Sequence, residues 1–396
     1  MAPDWQPHSA HWGDFSGACV DGHMHVRPHR NDPYPNALIE NQPAALHRKE
    51  RVCHPYVRAD WLRDVPDADA GRRSDAYVRV SCDEALDLVA GELRCVQQAH
   101  GPVAVFGGSN GWSGAGSFHY ASSQIHCFLA SARGDYNIFA DLAAREEFTE
   151  GRARAQWLRH LYGTNCEKAS AMGHAMSDVD PYWQCGGTRL PHQAEDGGIM
   201  QAFRNDPVQH PQPTPTGKIQ ITTAHATAFG YVDCPGQPTC PKPEDAPTPH
   251  CPLLLLANQP ASRRHSQLDF GAQSVSTKRG GRQVCMVHPD DATARSSAES
   301  DTVLLHNCRG ACLASATLSD AVLRSVVQLP NGAWFDPHVD SDGWTVCVQG
   351  NPNAVTRDKG TLSLAQGCVG QLTAVLLQGY DAPVPAIHVF DPPAMV

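Results

Sequence analysis

The chain is poor in several things that would have made its function easy to read. It has no apolar run of membrane-spanning length, so the sequence is expected not to cross a bilayer as a helix. Its opening, Met1-Ala2-Pro3-Asp4-Trp5-Gln6, has neither a basic region nor an apolar core, so no signal peptide is expected. Positive charge is also scarce: 31 Lys and Arg stand against 41 Asp and Glu, a net charge of −10, with no concentrated basic stripe. That balance argues against a nucleic-acid partner, which needs cations along the phosphate backbone. Aromatics make up only 7% of the chain. The 15 cysteines are numerous but odd in number and scattered from Cys19 to Cys368 without repeated spacing, so they do not form a disulfide framework. No Cys-x-x-Cys-x-x-x-Cys run occurs, and no iron–sulfur cluster is expected. Cys308 and Cys312 come close together, but without a second pair they read as strand residues before they read as zinc ligands.

What is present is a soluble-type composition, 41% hydrophobic and 18% charged, over 396 residues, enough for two or three cores. The 33 glycines and 31 prolines point to turns and short elements. Ser81-Cys82-Asp83-Glu84 is a capping box opening a helix with Leu86, Val89, Leu93 and Val96 on one face, stopped at Gly101-Pro102. The chain then enters a short apolar strand, Val103 to Phe106, and a loop with glycines at 107, 108, 111, 114 and 116. A helix-compatible segment follows, from about Phe118 to Ser131. Strand, glycine loop and helix in that order let backbone amides approach a phosphate; the plainer alternative is a tight turn with nothing bound.

Elsewhere the N-terminal part reads as short strands. Asp21-Gly22-His23-Met24-His25 carries two histidines on one strand face, which is a metal-site spacing, and it also reads as a hairpin turn with exposed histidines after it. Pro211 to Pro252 is proline-rich, with an alternating Lys218-Ile219-Gln220-Ile221 strand within it. From Cys251 the pattern becomes short apolar runs between turn residues, at Leu253–Leu256, Val303–Leu305, Ala311–Ala314 and Val326–Leu329. That regularity predicts a β-barrel or sandwich.

Several of these stretches together resemble one family, the molybdenum reductases that carry molybdopterin guanine dinucleotides, in the branch of the biotin sulfoxide, dimethyl sulfoxide and trimethylamine N-oxide reductases. Family members carry Gly-Gly-Ser-Tyr-Gly-Trp followed by a small-residue run and a His; here the text is Gly107-Gly108-Ser109-Asn110-Gly111-Trp112, then His119. The family's Gly-Asp-Tyr-Ser segment, whose serine ligates molybdenum, corresponds to Gly134-Asp135-Tyr136-Asn137. Asparagine therefore stands at both the tyrosine and the serine position. Val26-Arg27-Pro28 and the stretch from Arg51 to Leu62 also follow the family text. After Asn137 the resemblance jumps: Ile138 to Arg145, Phe148 to Arg152 and Trp157 to Tyr162 look like a segment far downstream. The chain resembles the two ends of such an enzyme joined across a large internal deletion.

The resemblance implies a mixed α/β (α+β) N-terminal part, 1–137, a helical and proline-rich connector, 138–250, and a C-terminal dinucleotide-binding β-barrel, 251–396. It implies a molybdenum bis(molybdopterin guanine dinucleotide) cofactor and a reductase of S-oxides or N-oxides served by an unidentified electron donor. Without a leader, the cytoplasmic biotin sulfoxide type is the nearer comparison. Asn110 and Trp112 take the catalytic positions and Asn137 the metal position. The cofactor contacts are Asn110, Gly111, Trp112, Ser113 and Gly114, then Ala257, Asn258, Gln259, Pro260, Arg263, His265, Ser266 and Gln267, then Asn353, Gly370 and Gln371. Asn and Gln suit this work because each carboxamide offers a donor and an acceptor to a pterin or guanine edge. Two other readings stand beside this one. The chain is a catalytically inactive, cofactor-binding remnant, or it is a zinc amidohydrolase built on His23 and His25.

Overall fold

Asp21 and Gly22 take positive φ, +50° and +79°, as a two-residue hairpin turn requires. Around that turn β2 (Gly13–Val20) pairs antiparallel with β3 (His23–Pro28), and β1 (Gln6–Ala10) pairs with the other edge of β2. Phe15, Ala18 and Met24 are buried, while His23 and His25 face outward, exposed. The hairpin reading of this stretch is the one the chain adopts. A three-stranded meander is no part of the repeated β/α barrel that an amidohydrolase needs.

The computed structural model describes residues 3–10, 13–63, 76–101, 104, 151–185, 188, 200–240, 243–357, 362–364, 372–392 and 394–395. The chain divides into two units. One comprises residues 1–188, 261–276 and 388–396, the other 189–260 and 277–387.

In the first unit β4 (Tyr56–Arg58) and β5 (Tyr77–Arg79) pair antiparallel, and the Tyr77 N–H also donates to Ala394 O at 3.1 Å. The capping box forms at the helix Cys82–His100: Ser81 Oγ accepts the Glu84 N–H at 3.1 Å and the Glu84 carboxylate accepts the Ser81 N–H at 3.4 Å. Gly101 ends that helix with φ +77°. Its buried stripe is narrower than the sequence pattern suggests. Leu86 and Ala90 are buried, whereas Val89 is 47% exposed. Leu86 and Ala90 lie four positions apart and share a face, while Val89 is turned off that line toward an apolar groove with Trp61 and Leu93.

The second unit holds the barrel. Its strands are β6 (Leu253–Leu256), β7 (Val284–Val287), β8 (Thr302–Asn307), β9 (Gly310–Leu318), β10 (Val326–Gln328), β11 (Pro337–Val339), β12 (Thr345–Cys347) and β13 (Leu372–Gly379). The order β9-β7-β10-β6-β13-β8 returns to β9, which closes the sheet, with β12 and then β11 extending from the amino-terminal half of β9. Closure leaves no free edge around the ring. Pairing is mixed: β7–β9, β6–β10 and β9–β12 run parallel and the other pairs antiparallel.

Alternation explains the interior. Leu253 and Leu255 are fully buried while Leu254 and Leu256 are half-buried. They pack with Val303, Leu305, Val327, Val375 and Leu377. β9 departs from alternation and is buried from Ala311 to Ala316. Cys312, Ala314 and Ala316 fill the barrel, while Ala311 and Leu313 pack on Val346 and Val348 outside it. Both faces are covered, so the strand reads as a continuous small-residue run.

Two expectations fail in the connector and the cysteines. Residues 218–221 form no strand, and Ile219 and Ile221 are 61% and 75% exposed. The alternation is there but the carbonyls are spent locally: Gly217 O accepts from Gln212 N at 2.9 Å and Lys218 O from Thr214 Oγ1 at 2.7 Å. Cys308 is not a strand residue; it sits exposed in the β8–β9 turn, while Cys312 is inside the barrel.

Candidate functional site

Strand register brings three chain segments to one end of the barrel. β13 runs antiparallel to β6 with Leu372 opposite Leu256, so the start of β13 meets the loop that leaves β6. β13 also runs antiparallel to β8, with Leu376 opposite His306, which sets the β8–β9 turn at that same end. Asn307 Nδ2 donates to Val355 O at 2.8 Å and to Ala374 O at 3.0 Å. A side chain on Gly310 would meet Ala354 O at 2.5 Å. The short turn Pro352–Ala354 is therefore pinned to the rim as well.

Each rim loop is held by its own local chemistry. The Ala257–Pro260 loop is fixed from the segment that follows β10: Leu329 N donates to Leu256 O at 3.0 Å and Asn331 N to Asn258 O at 2.9 Å. The second loop leaves β12 through Gly350, whose φ of +93° favours glycine and whose Cβ would lie 2.8 Å from Gln283 Cβ. Asn351 then caps the turn, its carboxamide accepting the Asn353 N–H at 2.9 Å, and Asn353 stands exposed. A strap from the connector crosses nearby. Arg309 pairs with Asp245 at 2.6 Å, Arg357 with Glu244 at 2.8 Å, and Asp233 accepts from Ser363 N at 2.9 Å.

One atom on this rim bears directly on whether a dinucleotide fits. Asn258 Nδ2 donates to Gln259 O at 3.1 Å, but its Oδ1 is buried with no hydrogen-bond partner among the described residues. A buried carboxamide oxygen is costly unless a donor reaches it. The N–H edge of a guanine or pterin is such a donor, so the residues present fit that group. Gln349, fully buried, also leaves its Nε2 and Oε1 without a partner among the described residues. Sequence reasoning missed it, although it directly precedes the Gly350-Asn351-Pro352-Asn353 motif.

Arg263, His265, Ser266 and Gln267 belong to the other unit. There the Arg263 side chain is completely buried, 3.4 Å from Asp269 and 3.3 Å from Ser274 Oγ. Burial lowers its pKa and Asp269 opposes that shift. Arg263 is thus spent on the loop's interior, while His265, Ser266 and Gln267 are exposed on its outer turn. The glycine loop with Asn110, Gly111, Trp112, Ser113 and Gly114 lies outside the described residues, as do Asn137, Gly370 and Gln371. Gly370 and Gln371 immediately precede Leu372 in the chain. Among the described residues no group of three or more His, Cys, Asp or Glu is placed to hold a metal, and no helix is long and apolar enough to cross a membrane.

Three family models match in order: the molybdopterin oxidoreductase N-terminal domain over residues 8–47, molybdopterin oxidoreductase over 51–171, and the molydopterin dinucleotide binding domain over 253–370. The chain belongs to the molybdopterin oxidoreductase family. Its barrel is the family's dinucleotide-binding domain. It is 36% identical to the dimethyl sulfoxide/trimethylamine N-oxide reductase of Rhodobacter capsulatus over 67% of this chain and 33% of that protein. It is 36% identical to the biotin sulfoxide reductase of Cereibacter sphaeroides, over 69% of this chain and 37% of the relative. With the trimethylamine-N-oxide reductase of Haemophilus influenzae the identity is 33%, over 70% and 35%. This member of the family spans only about a third of the length of the curated relatives it matches.

Proposed function

We propose that the chain binds a molybdopterin guanine dinucleotide and acts in the S-oxide and N-oxide reductase branch, by oxygen-atom transfer. The observation that carries the reading is the barrel rim, where Asn258 offers a buried acceptor without a partner among the described residues and Asn353 stands exposed on a turn pinned to the same end. When bound, the molybdenum cofactor supplies the two-electron chemistry; the polypeptide's part is to hold and orient it and to shape the pocket. In this reading Asn258, Gln259 and Asn353, with Gly370 and Gln371, hold the dinucleotide from the barrel. His265, Ser266 and Gln267 are the cofactor contacts of their own loop in the other unit, with Arg263 supporting that loop from inside. Asn110 and Trp112 take the catalytic positions, the substrate is an S-oxide or N-oxide, and Asn137 takes the metal position.

A second reading, a cofactor-binding remnant without turnover, is favoured by two observations. The chain spans about a third of its relatives, and Asn137 offers a neutral amide where a serine alkoxide brings negative charge to a high-valent metal. Elemental analysis and oxidised-pterin fluorescence, on protein expressed with molybdate, test the first reading. Near-stoichiometric molybdenum and pterin support it, and reduction of sulfoxides or N-oxides then separates it from the remnant. Absence of both molybdenum and pterin overturns it. Under this assignment Asn137→Ser raises the molybdenum content, and an unchanged content removes Asn137 from the metal position.

A further inference from the structure

The loop that carries His265, Ser266 and Gln267 has little regular structure of its own. Within the segment Gln267 N donates to Arg264 O at 2.9 Å and Gly271 N to Leu268 O at 2.7 Å, and Arg263, Asp269 and Ser274 hold one another in its interior. His265 and Leu268 both sit at positive φ, +46° and +52°. Side-chain-bearing residues rarely adopt that region, and they persist there when the surroundings over-determine them. The buried Arg263–Asp269 pair does part of this from within, and a residue outside the loop adds to it.

That residue comes from far away in sequence. Asn41 ends a short turn, Ala37–Asn41, which is capped by Asn36 and anchored by the buried Leu38 and Ile39. Asn41 is 98% buried, and its carboxamide reaches both ends of the loop. Its Nδ2 donates to Ser262 O at 2.8 Å, and its Oδ1 accepts the Ser274 N–H at 3.1 Å. One planar group therefore closes a segment of thirteen residues, Ser262 to Ser274, on a donor and an acceptor at once. The fit leaves no slack. A Cβ on Gly271 would lie 2.3 Å from Asn41 Oδ1 and 2.6 Å from its Cγ. Glycine at 271 makes room for the asparagine, at a position whose φ does not itself call for glycine.

We propose that Asn41 is a positioning residue for the dinucleotide: it clasps Ser262 and Ser274 and so sets the outward geometry of His265, Ser266 and Gln267. Asn41 touches no ligand in this assignment and acts through the loop. The proposal rests on the reading that those three residues contact the guanine dinucleotide.

The test uses the purified 396-residue chain with GDP as probe, titrated calorimetrically, alongside amide exchange followed by mass spectrometry. Gln267→Ala checks the underlying reading: if the parent binds no GDP, or Gln267→Ala binds it as well as the parent, that reading fails and takes the proposal's ligand half with it. The clasp itself is read separately from exchange in the segment 262–274. Asn41→Ala is expected to speed exchange there at least tenfold and to weaken GDP about tenfold, with melting of the barrel unit unchanged. Gly271→Ala keeps Asn41 but displaces it, and is expected to reproduce both effects. Asn41→Asp keeps the acceptor for Ser274 N–H but sets a carboxylate oxygen against Ser262 O, so its GDP affinity falls at least as far as in Asn41→Ala. A merely structural role predicts lost stability without loss of GDP affinity. Unchanged exchange in both Asn41→Ala and Gly271→Ala overturns the clasp, and faster exchange with unchanged GDP affinity overturns its positioning role. If Asn41→Ala does not fold, Gly271→Ala and Asn41→Asp still decide the matter.

Discussion

Removing Asp269 should cost far more than removing an ordinary carboxylate. Asp269 and Arg263 have fully buried side chains, 3.4 Å apart, and Asp269 also accepts from Ser274 Oγ at 3.2 Å. At an effective dielectric of about 20, two unit charges at that separation attract by about 5 kcal/mol. Most of that offsets desolvation of the two ions while both are present. With Asp269→Ala the guanidinium stays buried and its charge partner is gone, so the expected loss is about 3–5 kcal/mol. In a unit of this size that is a fall in melting temperature on the order of 10 °C. Replacing both partners by apolar residues of similar volume, Arg263→Met with Asp269→Leu, is expected to recover most of the loss. The assay is chemical denaturation combined with native-state hydrogen exchange, read on peptides covering residues 37–47 and 261–276. A cost below about 1 kcal/mol for Asp269→Ala, or a double variant no better than the single, would refute the claim that this loop is built on a buried ion pair.

Other predictions follow from other parts of the chain. Burial pushes the Cys285 thiol up to about 12 and raises Cys312 as well. Native protein at pH 8 should therefore be alkylated at exposed Cys19, Cys95, Cys185, Cys240 and Cys308 and spared at Cys285, Cys312 and Cys347 until denaturant is added. Ser81→Ala removes half of the capping box and should cost about 1 kcal/mol, measured by urea titration. Gly350→Ala combines positive φ with a close approach to Gln283 and should destabilise the barrel unit by about 1–3 kcal/mol, seen as a lower denaturation midpoint. The Glu299 carboxylate is held below its ordinary 4.5, first by the Leu318 N–H and then by Arg279. Its contribution is present above the unfolded value and is lost as pH falls through the folded one. Glu299→Gln should therefore lower the melting temperature at pH 7 and change it less at pH 3.

Some of this protein is written locally and some is not. The Ser81–Glu84 cap, the Asp21-Gly22 turn and the aliphatic strands Leu253–Leu256 and Val303–Leu305 are decided by neighbours within a few residues, so the sequence alone determined them. It also determined the family, because the Ala257–Pro260 and Gly350–Asn353 text is specific even without coordinates. Pattern failed where pairing was needed. Ile219 and Ile221 alternate as a strand should, yet a strand exists only with a partner, and Lys218 O had already been taken by Thr214. Position within a face also escaped it: Val89 belongs to the helical stripe by spacing and remains exposed. Tertiary structure alone decided that Arg263 turns inward to Asp269, and that Asn41 holds a loop more than two hundred residues downstream. It alone decided that the start of β13 and the loop after β6 meet at one rim. The physical reason is the same in each case. Buried polar groups must find partners wherever the fold has brought them, and sequence distance carries no information about which partner that will be.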